Sequence, residues 1–213
     1  MAKLKHGIFG PISGKLGSLV GASWMGIPYL RQAPKAKTRP APRSAAQIAN
    51  EQKMKFVNEL LVPFHAFIAA GFQNQAIGKT ALSAAYSINF HQAITGVYPN
   101  LGADYSKMTI SKGLLPGLGN PEIVFTAPDT VQLIWQPNTS IKTMFDDQLI
   151  LVLYSPELRL ADGFTGGIKR SDRHCEFKID TRLVGKALEV YLGLASINRK
   201  KAANSSYMGR LTP

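Results

Sequence analysis

Residues 7–26 read GIFGPISGKLGSLVGASWMG, and their glycines restrict what the chain can fold into more than any other feature. Gly7, Gly10, Gly14, Gly17, Gly21 and Gly26 recur every three to five residues, with Pro11 among them. Glycine at that density, with an interior proline, works against a helix in water or in lipid. A membrane-spanning helix needs about 20 mostly apolar residues. Lys15 and Pro11 deny it that run, although Gly10/Gly14 and Gly17/Gly21 have the small-xxx-small spacing of packed membrane helices. A secretory signal needs an unbroken apolar stretch after its basic start, and the same two residues interrupt the one that follows MAKLKH. No Sec-type signal and no transmembrane segment are therefore expected, which leaves the location open between the cytoplasm and a virion or other assembly. A phosphate-binding loop needs Gly, four residues, then Gly-Lys-Ser/Thr. Here Leu16 follows Gly14-Lys15, and Phe9 occupies the position of the first glycine.

Extended structure remains. LGSLVGASWMGIPYLRQ predicts two short strands around a Gly-containing turn, the second running from Ile27 to Arg31. A two-stranded ribbon alone is marginal in water, so this arm has to lie on its own core or on a neighbouring molecule. Its large apolar side chains, Leu19, Val20, Trp24, Tyr29 and Leu30, are the expected contact anchors, because buried aromatic anchors carry most interface energy.

Charge is distributed to match. Residues 1–55 hold ten Lys/Arg and one acid, a net +9; residues 56–192 hold eleven and twelve, a net −1; residues 193–213 hold four and none, a net +4. A neutral body with basic ends points to something anionic: nucleic acid, an anionic surface or an acidic protein face. QAPKAKTRPAPR (32–43) is a Pro/Ala/basic linker with extended geometry and no aromatic for base stacking. The single cysteine, Cys175, excludes an intramolecular disulfide framework and a cysteine-based metal site.

The 213 residues, 45% hydrophobic, suffice for one sizeable core, or one core plus a smaller appendage. Ser44 is placed to cap a helix over 45–71, with Ile48, Met54, Val57, Leu60 and Leu61 on one face and a kink or an end at Pro63, after which FHAFIAAGF continues as an apolar helical turn or two. A further helix is predicted over 80–96. His65 and His91 read as packing or first-turn histidines, since neither has a partner at metal-ligand spacing. From 107 the texture is that of strands: KMTISKG, EIVFTA, TVQLIWQP, DQLILVLYSP, HCEFKID and ALEVYLGLAS. Val131, Leu133 and Trp135 share a face, as do Cys175, Phe177 and Ile179, and Leu188, Val190, Leu192 and Leu194, whereas LILVLY is apolar on both faces, as in a central strand. Strands at this spacing without intervening helices predict an antiparallel sandwich. The fold expected is α+β: a Gly-rich β arm with its basic linker (1–43), a helical region (44–106) and a β-sandwich (107–213).

Two resemblances sharpen this. Residues 121–213 resemble a fibronectin type III-like domain: APDTVQLIWQPNTS is similar to its second strand with Trp135 as core tryptophan, DDQLILVLYSP to its third, and LEVYLGLASINRKKAANSSYMG to its last two strands and their hairpin. Leu188 stands where that family has its corner tyrosine. The whole chain also resembles a Bacteroidota family of unknown function whose members have about this length and begin much like MAKLKHGIFG…SGKLGSLVG…W…G…YLR…P. That resemblance implies a helical part and a β domain after the arm, and brings no functional residues with it.

No catalytic constellation is visible. His174 and Cys175 are neighbours on a strand and point to opposite faces, so they form no nucleophile–base pair, and Cys175 is expected inward as an inert thiol. Asp146-Asp147 reads as a turn or strand entry, GLLPGLGNP (113–121) as the connection into the sandwich, and INRKKAANSS (197–206) as a basic hairpin tip. The expectation is a non-enzymatic structural or assembly protein, a homo-oligomer or docking component of a filament, particle or phage-like structure, with no cofactor and no small-molecule substrate. The alternative is sequence-independent nucleic-acid binding through Lys35, Lys37, Arg39 and Arg43 of the arm and Arg199, Lys200 and Lys201 of the tip.

Overall fold

The computed structural model describes residues 3–8, 10–35, 42–138 and 143–212, which fall into two units, Met1–Ser44 and Ala45–Pro213. The first unit is an antiparallel meander of β1 (Lys3–Ile8), β2 (Ile12–Leu16), β3 (Leu19–Trp24) and β4 (Ile27–Gln32), paired in that order. The expected two-stranded ribbon is the β3–β4 half, with Trp24 opposite Ile27 and Ala22 opposite Tyr29. Two further strands precede it. Pro11 lies just outside β2 rather than breaking it, and at Gly21 an added Cβ would collide with the Ile12 carbonyl oxygen. Gly21 therefore permits a close approach of two backbones, which its helix-breaking character does not reveal. The β3–β4 turn places both Met25 and Gly26 at positive φ, 50° and 81°, as a type I′ hairpin demands.

The second unit has three layers. Ser44 precedes α1 (Ala45–Leu61), Pro63 turns the chain through a short 3₁₀ segment (Val62–Phe64), and α2 (His65–Gly71) follows, so the predicted kink is present. α3 (Ala81–Gln92) begins where the Thr80 hydroxyl accepts the Ser83 N–H at 3.1 Å. It ends earlier than its sequence predicts: residues 94–103 form a hairpin, β5 (Ile94–Val97) and β6 (Asn100–Ala103). Gly96 at φ 77° sits in a left-handed conformation that no helix continues through.

The predicted strand at KMTISKG does not form. Met108 and Ile110 are buried, but no described strand pairs with the segment, and at its centre the backbone bonds to side chains. Thr109 N–H donates to Asn89 Oδ1 at 2.8 Å, Asn89 Nδ2 donates back to Thr109 O at 2.9 Å, and Ile110 N–H donates to Ser205 Oγ at 3.0 Å. Period-two burial thus arises without a ladder, because Asn89 and Ser205 replace the neighbouring strand.

The sandwich pairs a three-stranded sheet with a four-stranded one. β7 (Gly119–Ala127), β8 (Thr130–Gln136) and β11 (His174–Lys178) form the first in the order β11-β8-β7. β9 (Gln148–Ser155), β10 (Leu160–Lys169), β12 (Leu188–Ala195) and β13 (Ser206–Leu211) form the second in the order β10-β9-β12-β13. β10 is absent from the sequence reading because Gly163, Gly166 and Gly167 erase its alternation; all three have positive φ, and the pairing with β9 shifts between Thr165 and Lys169.

One core lies between the sheets, from Val131, Leu133 and Trp135 across to Leu149, Leu151, Leu153, Leu188 and Val190. Leu188, in place of a corner tyrosine, is simply part of it. A second core lies on the other face of the four-stranded sheet, where Ile150, Val152, Tyr154 and Tyr191 pack beneath Phe64, Phe67 and Ile68. The Phe64 ring lies 4.6 Å from that of Tyr154 and edge-on to Tyr191 at 6.1 Å. β9 and β12 are therefore covered on both faces, which accounts for their unbroken apolar character. Each buried Leu or Val contributes roughly 1.5–3 kcal/mol relative to exposure.

Candidate interaction surface

Register assigns the arm's side chains to two faces. Residues directly opposite in an antiparallel pair share a face, so Lys15, Val20, Ala22, Trp24, Ile27, Tyr29 and Arg31 lie on one side. Leu16, Leu19, Gly21 and Leu30 lie on the other. Of the predicted anchors, Trp24 is 55% exposed and Leu30 56%; Leu19 and Tyr29 are also exposed, and Val20 is half-buried. Three more exposed apolar residues join them that sequence reasoning did not single out: Leu16, Met25 and Ile27, the last 62% exposed. Strand register is the signal for Ile27, since it faces Trp24 across the tightest turn. Both faces of one sheet thus present apolar surface, with Lys15 and Arg31 on the same face as Trp24 and Tyr29.

The predicted cations divide. Lys37 and Arg39 lie outside the described residues. Lys35 and Arg43 are exposed. Arg199, Lys200 and Lys201 share one exposed turn after β12, fastened by Arg199 N–H donating to Ser196 O at 2.7 Å, Lys200 N–H to Asn198 Oδ1 at 3.0 Å and Lys201 N–H to Ser196 Oγ at 3.0 Å.

The residues weighed for chemistry have structural surroundings. Cys175 is buried between the sheets, and that burial pushes its thiol up to about 11, so it is protonated and unreactive at neutral pH. His174 faces outward with Nδ1 3.1 Å from Asp172 O. Asp147 is buried and pairs with buried Arg170 at 3.1 Å. Arg170 also donates to Gly117 O at 2.8 Å and Pro116 O at 2.7 Å, and its own carbonyl accepts Trp135 Nε1–H at 2.8 Å. This knot ties GLLPGLGNP to the sandwich. Its partners lie 23 to 54 residues apart, so nothing in the sequence announces it. Among the described residues, no group of three or more His, Cys, Asp or Glu is gathered to hold a metal ion, and no helix is long and apolar enough to cross a membrane.

The family profile that matches this chain covers residues 11–209. The chain belongs to DUF6266, a family of unknown function. No curated protein matches it. The matched span runs from the start of β2 into β13, so most of the arm and nearly all of the three-layered body lie within it.

Proposed function

We propose that this DUF6266 member is a non-enzymatic structural or assembly protein that self-associates, or docks on a partner, through its N-terminal arm. The reading rests on one observation: a four-stranded sheet with exposed Trp, Tyr, Leu and Ile on both faces. Soluble monomers rarely display contiguous apolar patches of this kind, and a second layer is what stabilises a small sheet. The arm's inclusion in the family match supports it as part of the common architecture. A filament, particle or phage-like component would use such an arm to reach its neighbour.

Size-exclusion chromatography with light scattering on the full-length chain tests the reading. The wild type is expected to run as an oligomer that the double variant Trp24→Asp/Leu30→Asp converts to monomer with an unchanged circular dichroism spectrum. A wild type that stays monomeric at high concentration, alone and in pull-down from its native host, overturns it.

Nucleic-acid binding is the second reading, favoured by the clustering of Arg199, Lys200 and Lys201 on one turn. Its test is binding of random-sequence DNA or RNA at low salt, with affinity falling steeply as salt rises.

A further inference from the structure

A cavity of about 520 Å³ opens at one end of the body, between the segment that enters the sandwich and the basic turn. It is within the size range of small-ligand sites. Leu114, Leu115 and Met144 supply apolar wall, Asn74 an amide, and Lys200 and Lys201 two ammonium groups, with no Asp or Glu among its described lining residues. We infer that this cavity is a binding site for a small amphipathic anion: an aliphatic chain ending in a carboxylate, sulfate or phosphate.

Leu114 is the first reason. It is 92% exposed, and the backbone that carries it is held on both sides. Leu115 N–H donates to Ala202 O at 2.9 Å, Gly113 N–H donates to Asn204 Oδ1 at 3.1 Å, and Asn74 Nδ2 donates to Lys112 O at 2.9 Å. The backbone on both sides of Leu114 is pinned, and Gly113 is held so closely that a Cβ there would collide with Ala202 O. An exposed leucine on a pinned backbone beside an apolar recess offers surface that a chain of methylenes can cover.

The lysines are the second. The turn that carries them is closed by its own hydrogen bonds to Ser196 and Asn198, so both cations are held at this end of the body. Neither has an ion-pair partner among the described residues. On the adjoining loop, Asp147 is buried and bound to Arg170, and half-buried Asp146 pairs with neither lysine. Two unpaired ammonium groups beside an apolar recess match a ligand that is apolar along its length and anionic at one end.

The concavity distinguishes a single inserted molecule from a flat anionic membrane, and the test separates the two. Isothermal titration calorimetry of the full-length protein with sodium decanoate, decyl sulfate and decanol, each below its micelle concentration, is the measurement. Both anions are expected to bind, and decanol about tenfold or more weaker, since a charge-assisted contact is lost. The double variant Lys200→Glu/Lys201→Glu is expected to lose at least about tenfold in affinity for the anions and none for decanol. Leu114→Asp is expected to weaken all three. These side chains are exposed, and an unchanged thermal melt shows that the variants remain folded. Equal affinity for decanol and decanoate, or unchanged anion binding in the double lysine variant, overturns the assignment. So does binding only to phosphatidylglycerol vesicles and not to the soluble anions.

Discussion

β3 and β12 are antiparallel strands of six and eight residues, each flanked by a partner on either side, yet one is mostly exposed and the other wholly buried. β12 carries Leu188, Val190, Leu192 and Leu194 on one face and Tyr191 and Ala195 on the other, and a layer covers each. β3 and β4 carry Trp24, Ile27, Tyr29 and Leu30, residues just as apolar, within a unit made of a single sheet. Ladder hydrogen bonds are the same in kind in both. What differs is the second layer, and with it the main stabilising term, because hydrophobic free energy follows the area removed from water. In the body that term holds the fold together. In the arm it is still unspent, and that is the physical basis for reading the arm as a docking element.

The largest effect expected from a single change is in the body. Arg170→Ala leaves Asp147 buried and unpaired and strips donors from the Pro116 and Gly117 carbonyls; breaking such a pair costs about 3–5 kcal/mol. Urea denaturation followed by the fluorescence of buried Trp135, in a Trp24→Phe background, measures it; a loss below about 1 kcal/mol would mean the knot is not structural. Next comes a matched pair of truncations. Leu151→Ala, between the sheets, is expected to lower stability by about 2–5 kcal/mol. Trp24→Ala is expected to leave the body's midpoint within about 0.5 kcal/mol and to weaken self-association by about 2 kcal/mol or more. If the two substitutions destabilised the body equally, the contrast between a covered sheet and a docking sheet would fail.

Smaller still, Met25→Asn places a residue tolerant of left-handed geometry in the type I′ turn and is expected to stabilise the arm by about 1 kcal/mol or less. Hydrogen exchange of the β3–β4 amides reports it, with the body's amides unchanged. The smallest effect is electrostatic. The Arg182 guanidinium, hydrogen-bonded to Asp180, holds that carboxyl at about 2, below the ordinary carboxylate value. Its stabilising contribution is therefore complete above the unfolded-state pKa and disappears as pH falls toward 2. Asp180→Asn is expected to lower stability slightly at pH 6 and not at pH 2, as read from denaturation midpoints at the two pH values.

Much of the body was legible because hydrophobic periodicity is local. β8, β9, β11 and β12 follow from alternating or continuous apolar runs, and α1 and α2 from a helical stripe broken at Pro63. β10 was not legible, since three glycines erase its pattern, nor was the β5–β6 hairpin, whose Ile94–Val97 strand continues a helix-like sequence. The arm's exposed apolar residues Leu19, Trp24, Tyr29 and Leu30 could be named from composition. Ile27 entered with register, and the cavity beside Lys200 and Lys201 needed the convergence of four separate segments.

By itself the sequence determined the class of fold, the neutral body with its basic ends, the inward Cys175 and the extended nature of the glycine-rich start, because each depends on neighbouring residues and their side-chain chemistry. Only the tertiary structure decided that helices cover the outer face of the four-stranded sheet, that Asn89 and Ser205 replace a strand partner at 109–110, and that Arg170 reaches back to Pro116 and Gly117. Those pairings join residues up to 95 positions apart. They are selected by how well whole layers fill space and satisfy buried polar groups, and no local pattern in the chain encodes that.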